Sequence, residues 1–150
     1  MQTNQNSNWY KLWILYVRIL NREIVRSATI INKFLSIVEN GFRSPNFTTR
    51  AEAFICWKVL IEILAKNNEL VAPKRLKLVC IPLKSSQSKT IDIAVNKFKV
   101  WWYLICKMTT NLTNHCDTVL APFLVFCFGP LGDQPILSWH TSPSSGPGKV

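Results

Sequence analysis

Glycine is nearly absent from the first 128 residues of this 150-residue chain, and this scarcity limits the folds that are open to it. Gly41 is the only glycine before Gly129. Tight turns, phosphate-binding loops and β-bulges depend on glycine because it adopts backbone conformations that other residues avoid. Dinucleotide-binding folds, P-loops and β-sandwiches are therefore unlikely for this chain, and long helices remain.

Apolar residues recur at helical spacing in two segments, 48–66 and 88–108, and the two segments resemble each other. An offset of about 41 residues aligns the two segments, and the apolar runs that follow each of them also align with each other. The matching pairs are Thr49 with Thr90, Ala53 with Ala94, Trp57 with Phe98 and Pro82 with Pro122. A period of this length is typical of two-helix solenoid repeats of the HEAT and armadillo kind.

We therefore predict an all-α protein, an α-solenoid of antiparallel helix hairpins that occupies residues 9–128. Gly41 is interpreted as a left-handed C-cap of the first hairpin. Residues 1–8 and the Pro/Ser/Gly-rich tail 129–150 are predicted to be disordered. Both ends of the helical region carry exposed aromatic positions instead of a polar cap, which indicates a fragment of a longer array. The predicted hairpins are 9–20 with 23–40, 48–66 with 69–83, and 88–108 with 112–128.

The apolar faces of the two repeating helices supply the predicted core. Trp102 is placed there because it shares a helix face with Phe98 and Ile105. On that basis Trp102→Ala is expected to cost about 3 to 5 kcal/mol. The predicted core residues are Phe54, Trp57, Ile61, Phe98, Trp101 and Trp102.

Positive charge dominates the polar surface, with 18 Lys and Arg against 8 Asp and Glu, a formal net charge of +10. Such an excess favours DNA or an acidic or phosphorylated protein as partner. Solenoid stacking could collect one group of these cations on a single edge. The alternative is that these cations form a solvent-exposed basic face that binds no partner. The candidate contact residues are Lys74, Arg75, Lys77, Lys84 and Lys89.

Residues suited to catalysis or metal binding are few. His115 and Cys116 are adjacent, and neighbouring residues on a helix point about 100° apart, so they do not form a nucleophile and base pair. The five cysteines lack the short spacing of zinc sites and are predicted to be buried, reduced thiols. We therefore predict no catalytic residues, no cofactor and no metal. No apolar run is long enough to cross a bilayer, and the N-terminus lacks the pattern of a secretory signal, so an intracellular chain without a membrane partner is expected.

Several blocks resemble the N-terminal helical-repeat region of the telomere-associated Rif family, the Rap-interacting factors. The Trp101–Tyr103 run is the most specific, because successive bulky aromatics are rare even in buried helices. The resemblance extends from about Asn32 to Met108. The blocks are Gly41–Ser44, Ala53–Ile61, Lys74–Leu78, Pro82–Leu83 and Lys99–Leu104.

The resemblance implies a large nuclear scaffold at telomeres and chromosomes, without catalysis of its own. Members of the family act in telomere maintenance, replication timing and the choice of double-strand-break repair, and the full-length proteins recruit a type-one protein phosphatase. Lys99–Trp102 fits the short phosphatase-docking pattern, but such motifs bind as extended strands, whereas this segment is predicted to be helical. The alternative function is an unrelated helical-repeat regulatory subunit or a small helical enzyme.

Overall fold

The computed structural model describes residues 8–85 and 90–129, and these residues are helical almost throughout, without a β-strand. The predicted disordered ends lie outside the described residues, apart from Asn8 and Gly129. None of the described helices is both long and apolar enough to span a bilayer. The segments are α1 (Trp9–Leu20), α2 (Arg22–Arg26), α3 (Ala28–Phe42), α4 (Phe47–Lys66), α5 (Pro73–Lys84), α6 (Ile91–Lys107), a 3₁₀ turn (Leu112–His115), a π turn (Cys116–Leu120) and α7 (Ala121–Phe128).

Side-chain caps set the starts of three of these helices. The Asn46 Oδ1 atom accepts hydrogen bonds from the backbone at the start of α4, and the Thr90 Oγ1 atom accepts one at the start of α6. Ser27 adopts an extended conformation and caps α3 in the same way. The helix predicted over 23–40 is therefore two helices, α2 and α3, divided at Ser27. Pro73 occupies the first turn of α5, where its missing N–H costs nothing.

The first helices of the three hairpins, α1, α4 and α6, lie side by side and run in the same direction. Trp9 Nε1 donates to Glu52 Oε2 at 2.8 Å near the start of α1, and Asn67 Nδ2 donates to Asn21 Oδ1 at 2.9 Å just beyond its end. Lys58 lies over the Tyr103 ring at 5.1 Å between α4 and α6. Parallel packing of equivalent helices is the geometry of a solenoid, so the all-α helical-repeat prediction is confirmed.

A buried tryptophan recurs every 44 residues in these first helices. Trp13 Nε1 donates to the Phe34 carbonyl at 3.0 Å, and Trp57 Nε1 donates to the Val79 carbonyl at 2.8 Å. Each bond ties a first helix to the second helix of its own hairpin. Trp101, a further 44 residues on (101 − 57 = 44), packs its ring 6.0 Å from that of Phe123, and its buried Nε1 has no partner among the described residues.

The structural repeat is thus 44 residues, and the offset of 41 read from the sequence is wrong by about one helical turn. The capping residues Asn46 and Thr90 are also 44 apart (90 − 46 = 44). In this register Trp101, and not Phe98, is the equivalent of Trp57. The prolines are not equivalent either, because Pro82 lies in the last turn of α5 and Pro122 in the first turn of α7.

Two predicted core residues are consequently misplaced. Trp102 is 54% exposed and Phe98 is 43% exposed. Trp102 is the equivalent of Lys58 (102 − 58 = 44), which is also exposed, and none of the described helices packs over this face of α6. The large loss expected for Trp102→Ala is therefore corrected to a small one. The other predicted core residues, Phe54, Trp57, Ile61 and Trp101, are buried.

Gly41 is not a C-cap, because it lies within α3 in a helical conformation. Its role is close packing. A Cβ atom at this position would lie 3.1 Å from the Ala53 Cβ atom and 3.1 Å from the Trp9 Cη2 atom. The absence of a side chain at Gly41 lets the end of α3 approach both α1 and α4.

Candidate functional site

Three of the predicted contact lysines share one exposed face of α5. Lys74, Lys77 and Lys84 are all exposed, and at 100° per residue they fall within an arc of about 80° that also contains Ile81. The α5 sequence contains no acidic residue that could neutralise them. These four residues are called the α5 basic face below.

Arg75 does not belong to this face. Its Nη2 atom donates to the Val25 carbonyl at 3.3 Å, near the C-terminal end of α2, and the side chain is partly buried. A cation at a helix C-terminus interacts favourably with the helix dipole. This contact of Arg75 therefore links α5 to the first hairpin. Lys89 lies outside the described residues.

A pocket of about 300 Å³ opens beside the α5 basic face, where residues of α3, α4, α5 and α6 converge. Its apolar floor consists of Phe42, Phe54 and Trp57, whose rings pack edge to face at centroid distances of 4.8 and 5.5 Å. Ile81 borders both the pocket and the basic face. The charged residues that line the pocket are three cations, Arg43, Arg50 and Lys97, and one carboxylate, Glu39.

Lys97 is the most unusual of these residues, because only 2% of it is exposed. Its ammonium donates to the Ser85 carbonyl at the C-terminal end of α5 and lies 5.6 Å from the centre of the Phe126 ring. Burial lowers the pKa of the Lys97 ammonium below its ordinary value. This pocket is called the Lys97 pocket below.

The 44-residue register shows that Lys97 occupies a position filled by a small residue in the preceding repeat. Lys97 corresponds to Ala53, and Ser85 corresponds to Gly41 (85 − 41 = 44). Gly41 lies close to the Ala53 Cβ atom, whereas at the equivalent positions the Lys97 ammonium donates to the Ser85 carbonyl. Sequence reasoning missed this residue. The available signal was a lysine at the core positions of α6, in the series Ile93, Lys97, Val100 and Leu104.

Comparison with known proteins identifies the family of this chain. The model of a protein family described as "Rap1-interacting factor 1 N terminal" matches residues 1–120. The chain belongs to this RIF1 family. It is 44% identical over 129 residues to the telomere-associated protein RIF1 of Drosophila melanogaster. This match covers 86% of this chain and 9% of the relative. No solved structure matches the chain.

The vertebrate relatives give the same result. The chain is 37% identical over 123 residues to telomere-associated protein RIF1 of Mus musculus and 39% identical over 115 residues to that of Homo sapiens. These matches cover 81% and 76% of this chain, but 5% of each relative. The predicted resemblance is thus confirmed, and the family replaces the alternative of an unrelated regulatory subunit. The chain spans less than a tenth of the length of these relatives.

The cysteines of this RIF1-type region differ in exposure. Burial raises the pKa of the Cys56 thiol to about 12, with a smaller contribution from Glu52, and it raises the pKa of Cys80 to about 11. Cys106 and Cys116 are exposed, so the expectation that all five thiols are buried is wrong. The Cys116 Sγ atom lies 3.4 Å from the Leu112 carbonyl. The described residues contain no group of three side chains suited to hold a metal ion.

Thiol labelling should separate these two classes. Because the thiolate is the reactive form, a raised pKa lowers the reactive fraction of Cys56 and Cys80, by about a hundredfold or more at pH 8. We expect Cys106 and Cys116 to react quickly with a chromogenic disulfide reagent and Cys56 and Cys80 to react only after unfolding in denaturant. The double variant Cys106→Ser and Cys116→Ser should remove the fast phase. Rapid reaction of Cys56 in the native chain would contradict the packing of α4 against α1.

Proposed function

We propose that the chain is a non-catalytic scaffold segment of the RIF1 type that acts at chromosomes in the nucleus and binds DNA, or an acidic or phosphorylated protein, through the α5 basic face. The observation that carries the proposal is the grouping of Lys74, Lys77 and Lys84 on one exposed face of α5, a helix that contains no acidic residue. The telomere-associated names of the relatives support a chromosomal location.

We assign to this chain only a contribution to the roles of the complete proteins. Telomere maintenance, replication timing and the choice of break repair are assigned to the complete proteins, and this segment spans 5% to 9% of the length of the relatives compared above. We infer that the segment supplies one anion-binding surface to the complete scaffold. Recruitment of a type-one phosphatase is assigned to the full-length proteins and not to this chain.

The Lys99–Trp102 segment supports that division. Val100 and Trp101 are buried inside α6, and Lys99 and Trp102 are the exposed members of the segment. A motif that docks as an extended strand would have to unwind the helix and expose Trp101. Phosphatase docking through this segment is therefore not part of the proposal.

DNA binding through the α5 basic face should depend strongly on salt, because lysines on a helix surface contact phosphates and release counterions. Replacement of Lys74, Lys77 and Lys84 by glutamate should weaken binding to unrelated duplexes equally and reduce the slope of log affinity against log salt by about 2 to 3 units. Fluorescence anisotropy with two duplexes of different sequence measures both effects.

A charge-matched control separates this face from net charge alone. Lys33, Lys66 and Lys99 are exposed residues on α3, α4 and α6, and replacing them by glutamate changes the net charge by the same amount. This control should keep most of the salt slope. Equal losses in the two triple variants would show that the whole positive surface, and not the α5 basic face, attracts DNA.

A further inference from the structure

We propose that the Lys97 pocket binds a short acidic peptide segment of a partner protein, with one apolar side chain of the peptide against Phe42 and Ile81 and a neighbouring carboxylate paired with Lys97. The Lys97 pocket adjoins the α5 basic face, with which it shares Ile81, but its buried cation is not part of that face. It is built from both an apolar surface and a buried cation.

The buried ammonium of Lys97 is the first feature that indicates a negatively charged ligand. A buried ammonium is stable only if its charge and its N–H donors are compensated. Lys97 uses one donor on the Ser85 carbonyl and lies against the Phe126 ring, but it forms no ion pair with the described residues. The described ion pairs, Arg18 with Glu62 and Arg26 with Glu23, lie elsewhere. A carboxylate that entered the pocket would supply the missing negative charge.

The helical repeat itself does not require a lysine at position 97. The equivalent position in the preceding repeat is Ala53, which is buried without any polar partner. Lys97 also caps the end of α5, but a helix C-terminus does not need a buried ammonium for that purpose, since water and exposed side chains serve equally well. The burial of this charge is therefore better explained by a bound ligand than by a requirement of the fold.

The shape of the pocket indicates the rest of the ligand. Its volume of about 300 Å³ lies at the lower end of the range for small-ligand sites, which gives room for one or two side chains. The accessible apolar surface of the pocket comes from Phe42, which is partly exposed, and from Ile81, which is 65% exposed, and it suits a leucine or a phenylalanine side chain. A free anion would leave this apolar surface of Phe42 and Ile81 in contact with water.

Charge outside the pocket indicates the flanking residues of the peptide. Ile81 lines the pocket and is 65% exposed, and on α5 it lies between Lys77 and Lys84. A peptide anchored in the pocket would pass these lysines, so additional acidic residues beside the anchor would be favoured. The single carboxylate of the lining, Glu39, is exposed at the rim and is outnumbered by three cations.

The test uses the full 150-residue chain and an acetylated, amidated pentapeptide with a central leucine between two pairs of aspartates. Isothermal titration calorimetry at low salt should show saturable binding with one peptide per chain. Replacing the leucine by serine, or all aspartates by asparagine, should weaken binding by at least about tenfold. Absence of saturable binding to the leucine peptide would overturn the proposal.

Variants of the chain locate the site. Lys97→Met keeps the length of the side chain and removes its charge, and it should weaken peptide binding by about tenfold or more while DNA affinity stays unchanged. Ile81→Glu changes a residue that is 65% exposed, so the fold should be retained, and it should likewise weaken peptide binding by about tenfold or more. Lys33→Met, on α3, is the control and should bind normally. If Lys97→Met and Ile81→Glu both bind as the unmodified chain does, the pocket is not the site.

A third peptide tests the chemical class. When phosphoserine replaces the central leucine, the apolar anchor is lost, so binding should fall. Tighter binding of the phosphoserine peptide than of the leucine peptide would overturn the apolar anchor and assign the pocket to phosphate. The DNA test uses the triple variant of Lys74, Lys77 and Lys84, whereas Lys97→Met, which lies outside the α5 basic face, decides the peptide test, so either proposal can fail without the other.

Discussion

Trp57→Ala is expected to lower the free energy of unfolding by about 3 to 5 kcal/mol. The indole is buried between α3 and α5, it packs 5.5 Å from the Phe42 ring, and its Nε1 atom donates to the Val79 carbonyl at 2.8 Å. The substitution therefore leaves a cavity and removes the hydrogen bond that joins the two helices of the middle hairpin. Urea denaturation followed by far-ultraviolet circular dichroism measures the change.

Trp102→Ala is the control for this prediction. Since 54% of Trp102 is exposed, its removal should cost less than about 1 kcal/mol. Equal losses for Trp57→Ala and Trp102→Ala would contradict the 44-residue register, which assigns Trp102 to the outer face of α6.

A conservative pair of substitutions isolates the hydrogen bond. Trp57→Phe loses the bond to Val79, whereas Trp101→Phe removes an indole N–H that has no partner among the described residues. Leaving a buried donor unpaired is costly, so its removal partly offsets the lost packing. Trp57→Phe should therefore destabilise the chain by about 1 to 2 kcal/mol more than Trp101→Phe does.

Most helices of this protein could be predicted from apolar spacing, because they bury one face and leave the other in water, whereas α4 is buried on most sides. The register of the repeat could not be predicted from similarity of residue type. An offset of 41 aligned Val59 with Val100 and Lys58 with Lys99, whereas burial follows an offset of 44. Helices shifted by about one turn present similar faces, so residue types alone do not separate the two offsets. The spacing of Trp13, Trp57 and Trp101 was the available clue.

The same limit applies to the candidate site. Lys74, Lys77 and Lys84 could be assigned to one face from helical geometry alone, since the angle between residues depends only on their separation. The role of Arg75 could not, because its acceptor, the Val25 carbonyl, is 50 residues away in sequence. Lys97 was also missed, because a lysine is normally an exposed residue, although its place among the core positions of α6 was a signal in the sequence.

The close approach of α3 to its neighbours leads to a second large effect, at Gly41. Gly41→Leu should destabilise the chain by about 2 to 3 kcal/mol, because even a Cβ atom would lie 3.1 Å from atoms of Ala53 and Trp9. The better helix propensity of leucine offsets at most about 1 kcal/mol of this cost. Asn40→Leu is the control. Asn40 is exposed in the same turn of α3, so the change there should stay within about 0.5 kcal/mol.

A smaller substitution shows whether the close contact with Ala53 is the cause. Gly41→Ala gains helix propensity and crowds Ala53, so the two effects should nearly cancel. Adding Ala53→Gly removes the Cβ atom that Gly41→Ala would meet, although it costs helix propensity and packing of its own. The double-mutant cycle should therefore give a favourable coupling of about 0.5 to 1 kcal/mol between the two positions. Additive effects, or a Gly41→Leu variant as stable as the unmodified chain, would show that α3 can move away from α1 and α4 without loss and that Gly41 is not needed for their packing.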